Sequence, residues 1–200
     1  MPGAGAGSEV WNRDLAFQPG ERLRILARSG KGKTTLLSVL YGLRTDYRGR
    51  VHFDGADIRH YGHDAWHRLR QQQISFVFQD LQLFDELTAR ENVDLKNRLT
   101  VHKSAPEIQS LFEALGLADK RDAPAGRLSR GQQQRVAIIR ALCQPFEWLL
   151  LDEPFSHLDQ SMIDQAAAVI DDECKRRGAG LILTSLEPDS TLDCHAVKKL

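Results

Sequence analysis

The nine residues Ala27-Arg28-Ser29-Gly30-Lys31-Gly32-Lys33-Thr34-Thr35 constrain this chain more than any other stretch. They follow Leu23, Ile25 and Leu26, which have strand character, and they open a helical pattern in which Leu36, Leu37 and Leu40 share one face. Strand, glycine-bearing loop and helix in that order make a cradle for phosphate. The glycines bring backbone N–H groups close to an anion, and the helix N-terminus favours negative charge. Ser29, Gly30, Lys31, Gly32, Lys33, Thr34 and Thr35 are therefore candidate nucleotide contacts. Lys33 would reach the outer phosphates, and the Thr34 hydroxyl would hold a magnesium ion. Taken alone, the nine residues also read as a basic surface turn ahead of a helix. The first position of such a loop is usually glycine and here is Ala27, so its backbone is either ordinary or the loop is reshaped.

Two hundred residues with 42% hydrophobic content suit one globular domain, with room for a subdomain. Lys plus Arg number 27 and Asp plus Glu number 27, so the net charge is zero and exerts no general pull toward nucleic acid or an anionic membrane. Nucleic acid is not an expected partner. Cys143, Cys174 and Cys194 are odd in number and widely spaced, which argues against a disulfide framework or a zinc site and fits a reducing compartment. No run of about 18 apolar residues occurs, so membrane contact is expected only through another subunit.

Residues 1–8 are small and Gly/Ala-rich and read as a flexible leader. Residues 10–17 are expected to form a strand, and Pro19-Gly20 a turn. Gly42 is a helix stop, Asp54-Gly55 a hairpin turn, residues 64–73 a helix capped by Asp64, and residues 74–78 a buried strand ending at Gln79. Residues 86–141 carry helical patterns, with Leu95 and Leu99 on one face and Ile108, Leu111, Phe112 and Leu115 on another. Residues 148–151 and 181–184 are apolar runs suited to strands buried in a parallel sheet, and residues 162–174 form a helix stopped by Gly178.

The run ending in Asp152-Glu153 supplies what the phosphate loop lacks. A hard cation on phosphates wants a carboxylate at the end of a neighbouring strand, which assigns Asp152 to magnesium. Glu153, one residue on, is placed to orient and deprotonate an attacking water.

Leu128-Ser129-Arg130-Gly131-Gln132-Gln133-Gln134-Arg135 resembles the signature motif of ATP-binding cassette (ABC) ATPases, and Gln79 and Ser156-His157-Leu158-Asp159 resemble their Q-loop and D-loop. The resemblance covers most of the chain in the family's order. It implies an α/β fold: a RecA-like P-loop NTPase core, residues 9–85 and 141–200, with an inserted helical subdomain at residues 86–140. It also implies a head-to-tail homodimer in which the signature of one subunit caps ATP held by the other. Ser129 would offer a hydroxyl, Gly131 a close-approach N–H, and Gln132 lies in the same motif. Gln79 joins Thr34 and Asp152 as a magnesium residue, and Glu153, Lys33, Gln79 and Ser185 form the catalytic set. Ser129 is equally a plain helix cap.

Four departures bear on turnover. Ala27 and Arg130 stand where the family has glycine, and Ser185 stands where its switch histidine follows Thr184. The aromatic residue that stacks on adenine lies, in the family, on a first strand without a counterpart in these residues; Trp11 aligns better with a core position of the second strand. Losing one donor to the transferring phosphate typically costs about 10²-fold to 10³-fold. Slow hydrolysis is the expectation.

The implied role is the ATPase subunit of a transporter, cytoplasmic and held at the inner face of the membrane by integral-membrane permease subunits. Residues 76–84 and 87–93 resemble the branch of lipoprotein-releasing and macrolide-exporter ATPases, though polar amino-acid importers share a similar stretch. Leu83 and Phe84 would be exposed where a permease docks, and Leu83 serves equally well as core. The alternatives are a soluble ABC ATPase of translation or DNA repair, which would bring a second cassette or a coiled coil, and a nucleotide-sensing protein with little turnover.

Overall fold

The computed structural model describes residues 8–187 and 191–200, so the expected leader lies outside the described residues except for Ser8. Ser8 is buried, and its Oγ accepts hydrogen bonds from the Val10 and Trp11 N–H groups. That turn, with Asn12 at φ 58°, replaces the strand expected over residues 10–17. Local capping by a serine hydroxyl competes with extended pairing and here prevails.

The first strand, β1 (Arg22–Leu26), leads through the phosphate loop into α1 (Lys33–Leu40), which ends at Gly42 with φ 71°. Asp54 and Gly55 both have positive φ, the conformation of a two-residue hairpin turn, between β2 (His52–Phe53) and β3 (Ala56–Asp57). Helix α2 (His63–Gln72) starts one residue earlier than expected, with Gly62 rather than Asp64 as its cap. Strand β4 (Ile74–Val77) follows, then α3 (Ala89–Asn97), α4 (Ala105–Ala114) and α5 (Arg130–Leu142). The chain closes with β5 (Trp148–Asp152), α6 (Gln160–Arg177), β6 (Gly180–Ser185) and β7 (Ala196–Lys199).

Five strands form one sheet in the order β4-β5-β6-β1-β7, every pair parallel. Parallel order buries β4, β5 and β6 on both faces, which is why they read as continuous apolar runs. On one face Leu23, Ile25, Leu37, Phe76, Leu150 and Ile182 form a core with α1 and α2. The other face packs Leu149, Leu151, Leu181 and Leu183 against α5 and α6, and this core runs on without a break to Phe112 and Leu115 of the α4 region. Leu95 and Leu99 do not join it; both are exposed.

Two buried charges and one half-buried charge tie the peripheral helices down. Lys103, just before α4, pairs with Glu173 of α6 at 2.7 Å, and Arg177 reaches the same carboxylate at 2.7 Å. Burial alone would raise the Glu173 pKa, but the hydrogen bonds from Lys103 and Arg177 hold it below its ordinary value. Among the described residues no helix is long and apolar enough to cross a membrane.

Candidate functional site

In an open parallel sheet a ligand binds beyond the carboxyl ends of the strands. Here β1 runs into the phosphate loop, β4 into Gln79, β5 ends at Asp152 and β6 at Ser185. The backbone at Ala27 is ordinary, since it is absent from the residues with positive φ, and its N–H donates to Ser185 O at 3.2 Å. Gly32, at φ 96°, turns the loop into α1. Gly30 has φ 75°, and an L-residue adopts either angle only with strain, so both glycines of the loop do conformational work.

Lys33 is buried, with 4% of its surface exposed. Its Nζ donates to Ala27 O at 2.6 Å and Arg28 O at 3.3 Å and stands 3.0 Å from Glu153 Oε1. Ser29 and Gly30 are exposed at the loop tip, beside Lys31, while Thr35 is half-buried in the first turn of α1. Thr34 Oγ1 donates to Gln79 Oε1 at 3.1 Å, so the Q-loop side chain and the first helical turn are already in contact.

Asp152 is 1% exposed. Its Oδ1 accepts from Thr184 Oγ1 at 2.6 Å, but its Oδ2 is buried with no hydrogen-bond partner. An orphaned carboxylate oxygen is costly to bury, and a hard cation is the partner that would satisfy it. The donor set fits magnesium: a carboxylate, the Thr34 hydroxyl and the Gln79 amide oxygen are all oxygen ligands. Glu153 has φ 49°, an uncommon conformation for a non-glycine residue. It is held there by its own N–H, which donates to Thr184 O and Thr184 Oγ1 at 3.2 Å each.

The signature segment begins α5 with reciprocal capping: Ser129 Oγ accepts from Gln132 N–H at 3.3 Å, and Gln132 Oε1 accepts from Ser129 N–H at 2.9 Å. Both side chains expected at the nucleotide thus cap their own helix. Gly131 has a packing reason to be glycine, because a Cβ there would lie 2.8 Å from His157 O of the D-loop. Gln134, which the sequence did not single out, is 1% exposed and bridges the same elements. Its Nε2 donates to Glu153 O at 3.1 Å, and its Oε1 accepts from His157 N–H at 3.1 Å. The signal that could have found it is its place in a helix otherwise buried by aliphatic residues.

One cleft is lined by Thr34, Gln79, Arg130, Asp152 and His157. Lys33, Thr34, Gln79, Asp152 and Glu153 therefore converge, while Ser129 and Gly131 sit at the α5 N-terminus against the D-loop. Ser185 Oγ donates to Glu187 O at 2.9 Å. Trp11 is half-exposed, with its indole about a van der Waals contact (3.6 Å) from the position of a Cβ on Gly32.

A phosphate loop facing an aspartate and a glutamate across the carboxyl ends of a parallel sheet defines a P-loop nucleotide hydrolase. The profile of the ABC transporter family matches residues 10–156. The thiamine import ATP-binding protein ThiQ of Cereibacter sphaeroides is 35% identical over 88% of this chain and 75% of its own. The ABC transporter ATP-binding protein YbbA of Escherichia coli is 33% identical over 94% of this chain and 83% of its own. The macrolide export ATP-binding/permease protein MacB of Marinobacter nauticus is 34% identical over 88% of this chain and 28% of its own. Among solved structures, the dimeric bacterial ABC transporter cassette MJ0796 superposes with TM-score 0.76 at 29% identity, covering 85% of this chain and 77% of that one. Its dimeric post-hydrolysis state with ADP and Pi gives TM-score 0.75 at 29% identity, covering 86% of this chain and 78% of that one. The chain belongs to the ABC transporter family, and it is an ATP-binding subunit with the family's ATPase activity.

Proposed function

We propose that this chain works as a head-to-tail homodimer that binds ATP and magnesium at two shared sites and drives integral-membrane permease subunits from the cytoplasmic face. The observation that carries the reading is the partnerless Asp152 Oδ2, at the same carboxyl end of the sheet as the phosphate loop and its buried Lys33. Lys33 exchanges its two carbonyl partners for phosphate oxygens, gaining charge-assisted bonds. Thr34, Gln79 and Asp152 would hold the magnesium ion, which would offset phosphate charge. Glu153 accepts the proton of the attacking water through its carboxylate. The α5 N-terminus of the second subunit, with Ser129, Gly131 and Gln132, faces the γ-phosphate from the other side, where the helix dipole favours an anion.

Residues 9–85 and 141–200 form the ATP-binding core in this scheme and residues 86–140 the helical subdomain. Exposed Phe84 marks the face the permease covers, whereas Leu83 packs on the core. Asn92, fully buried, holds that face in shape: its Nδ2 donates to Phe84 O and Thr88 O at 3.0 Å each, and its Oδ1 accepts from Phe84 N–H at 2.9 Å. The resemblance of residues 76–93 to exporter and lipoprotein-releasing ATPases supports that type. The test is affinity purification of the tagged chain from membranes in mild detergent. Recovery of a multi-span permease whose yield falls with Phe84→Asp supports the reading; a chain recovered without any membrane protein overturns it.

A further inference from the structure

Helix α5 grips the Q-loop of its own chain at two points. Arg130, its first residue, donates from Nη2 to Gln79 O at 3.2 Å. Arg140, ten residues and roughly 15 Å further along the helix axis, donates through its two terminal nitrogens to Leu81 O and Gln82 O. The segment between these anchors is unusual. Leu81 and Gln82 both have positive φ, 64° and 50°, a conformation that non-glycine residues hold only when their surroundings enforce it. Arg140 enforces it at one end. At the other, Arg130 holds the carbonyl of Gln79, whose side-chain oxygen already meets Thr34 Oγ1 at 3.1 Å.

We propose that Arg130 is a positioning residue for the magnesium site of its own subunit: by clamping the Gln79 carbonyl to the start of α5, it fixes the Gln79 amide oxygen against Thr34. Glycine at this position has no side chain with which to do this. The clamp couples the signature helix to the cation site within one chain, in addition to any contact the helix makes across a dimer. It rests on the reading of Thr34, Gln79 and Asp152 as magnesium residues. Residues that orient ligands from behind are typically worth about 10-fold to 100-fold in metal affinity. Acting through a backbone carbonyl on one of three oxygen donors, Arg130 belongs at the lower end.

The experiment compares wild type, Arg130→Gly and Arg130→Lys. ATP binding is titrated calorimetrically with magnesium and with EDTA, and amide hydrogen exchange is followed over residues 79–84 without nucleotide. The expected result for Arg130→Gly is unchanged affinity in EDTA, loss of about tenfold of the magnesium-dependent gain, and faster exchange at residues 79–84. Arg130→Lys, which keeps one donor, restores both in large part. A merely structural role would lower affinity in both media alike and overturn the proposal. A wild type that responds to magnesium, with Arg130→Gly responding identically, overturns the clamp alone. A wild type indifferent to magnesium overturns the clamp together with the cation site behind it.

Discussion

Lys33 Nζ and Glu153 Oε1 lie 3.0 Å apart, so the cation proposed to serve phosphate and the carboxylate proposed to serve water are in direct contact. Lys33 is nearly closed to solvent and Glu153 is half-buried, so screening of the pair by water is weak. Nucleotide phosphates and Glu153 therefore compete for one ammonium group. In the proposed scheme, binding of ATP would free Glu153 from that pairing and leave it available as a base.

Glu153→Gln keeps the shape of the side chain and removes both the base and the competing charge. Hydrolysis should fall by about 10²-fold to 10⁴-fold, the usual contribution of a positioned general base. ATP affinity should rise at the same time, because Lys33 no longer has an anionic rival. Size-exclusion chromatography with ATP and magnesium should show a stable dimer. A variant that hydrolyses at the wild-type rate would remove Glu153 from the mechanism.

Lys33→Ala should weaken ATP binding by about 100-fold or more, a loss of about 2.7 kcal/mol. Lys33 is the cation placed among the loop carbonyls, donating to Ala27 O and Arg28 O. Calorimetric titration checks it. The substitution also strips Glu153 of its ion-pair partner, so a thermal melt should accompany the titration.

Much of the sheet was legible because burial on both faces imposes continuous apolar runs, as in β5 with Leu149, Leu150 and Leu151. The missed strand, β7, is half charged, with Lys198 half-buried beside an exposed Lys199, and owes its form to distant pairing with β1. Residues 10–17 failed for the opposite reason: a nearby serine hydroxyl captured two N–H groups that a strand would have spent on a ladder. In the site, spacing pointed to residues that the fold brings together, among them Lys33, Thr34, Gln79 and Glu153, but not to what holds them. Thr184 behind Asp152 and Gln134 behind Glu153 act through contacts 32 and 19 residues apart in sequence, which no local pattern encodes.

Lys96→Met should stabilise the protein at neutral pH. Lys96 has its pKa lowered from 10.5 to about 8, first by burial and then by Arg140 and Arg70 across α5 and α2. A lysine whose folded pKa is depressed binds fewer protons when folded than when unfolded between those two values, so its penalty is complete below about 8 and fades as pH rises toward 10.5. The Tm advantage of Lys96→Met over wild type should therefore be largest at pH 7 and shrink by pH 10. An advantage that does not change with pH would mean that packing, not charge, is responsible.

Ser185→His places the family's residue where serine now stands, and the backbone there is ready for it. Ser185 closes β6 in register with Leu26, and its carbonyl accepts the Ala27 N–H at 3.2 Å, so position 185 is pinned to the root of the phosphate loop. The serine hydroxyl is turned away and donates to Glu187 O at 2.9 Å. An imidazole is longer and can carry positive charge, so from the same Cα its N–H can reach toward the γ-phosphate where the hydroxyl does not. The rate of hydrolysis should rise about tenfold, which asks only ~1.4 kcal/mol of a new donor to the transferring phosphate. Steady-state turnover at saturating ATP, with affinity measured separately, is the check. A fall in rate at unchanged affinity would show that the γ-phosphate contact is made elsewhere.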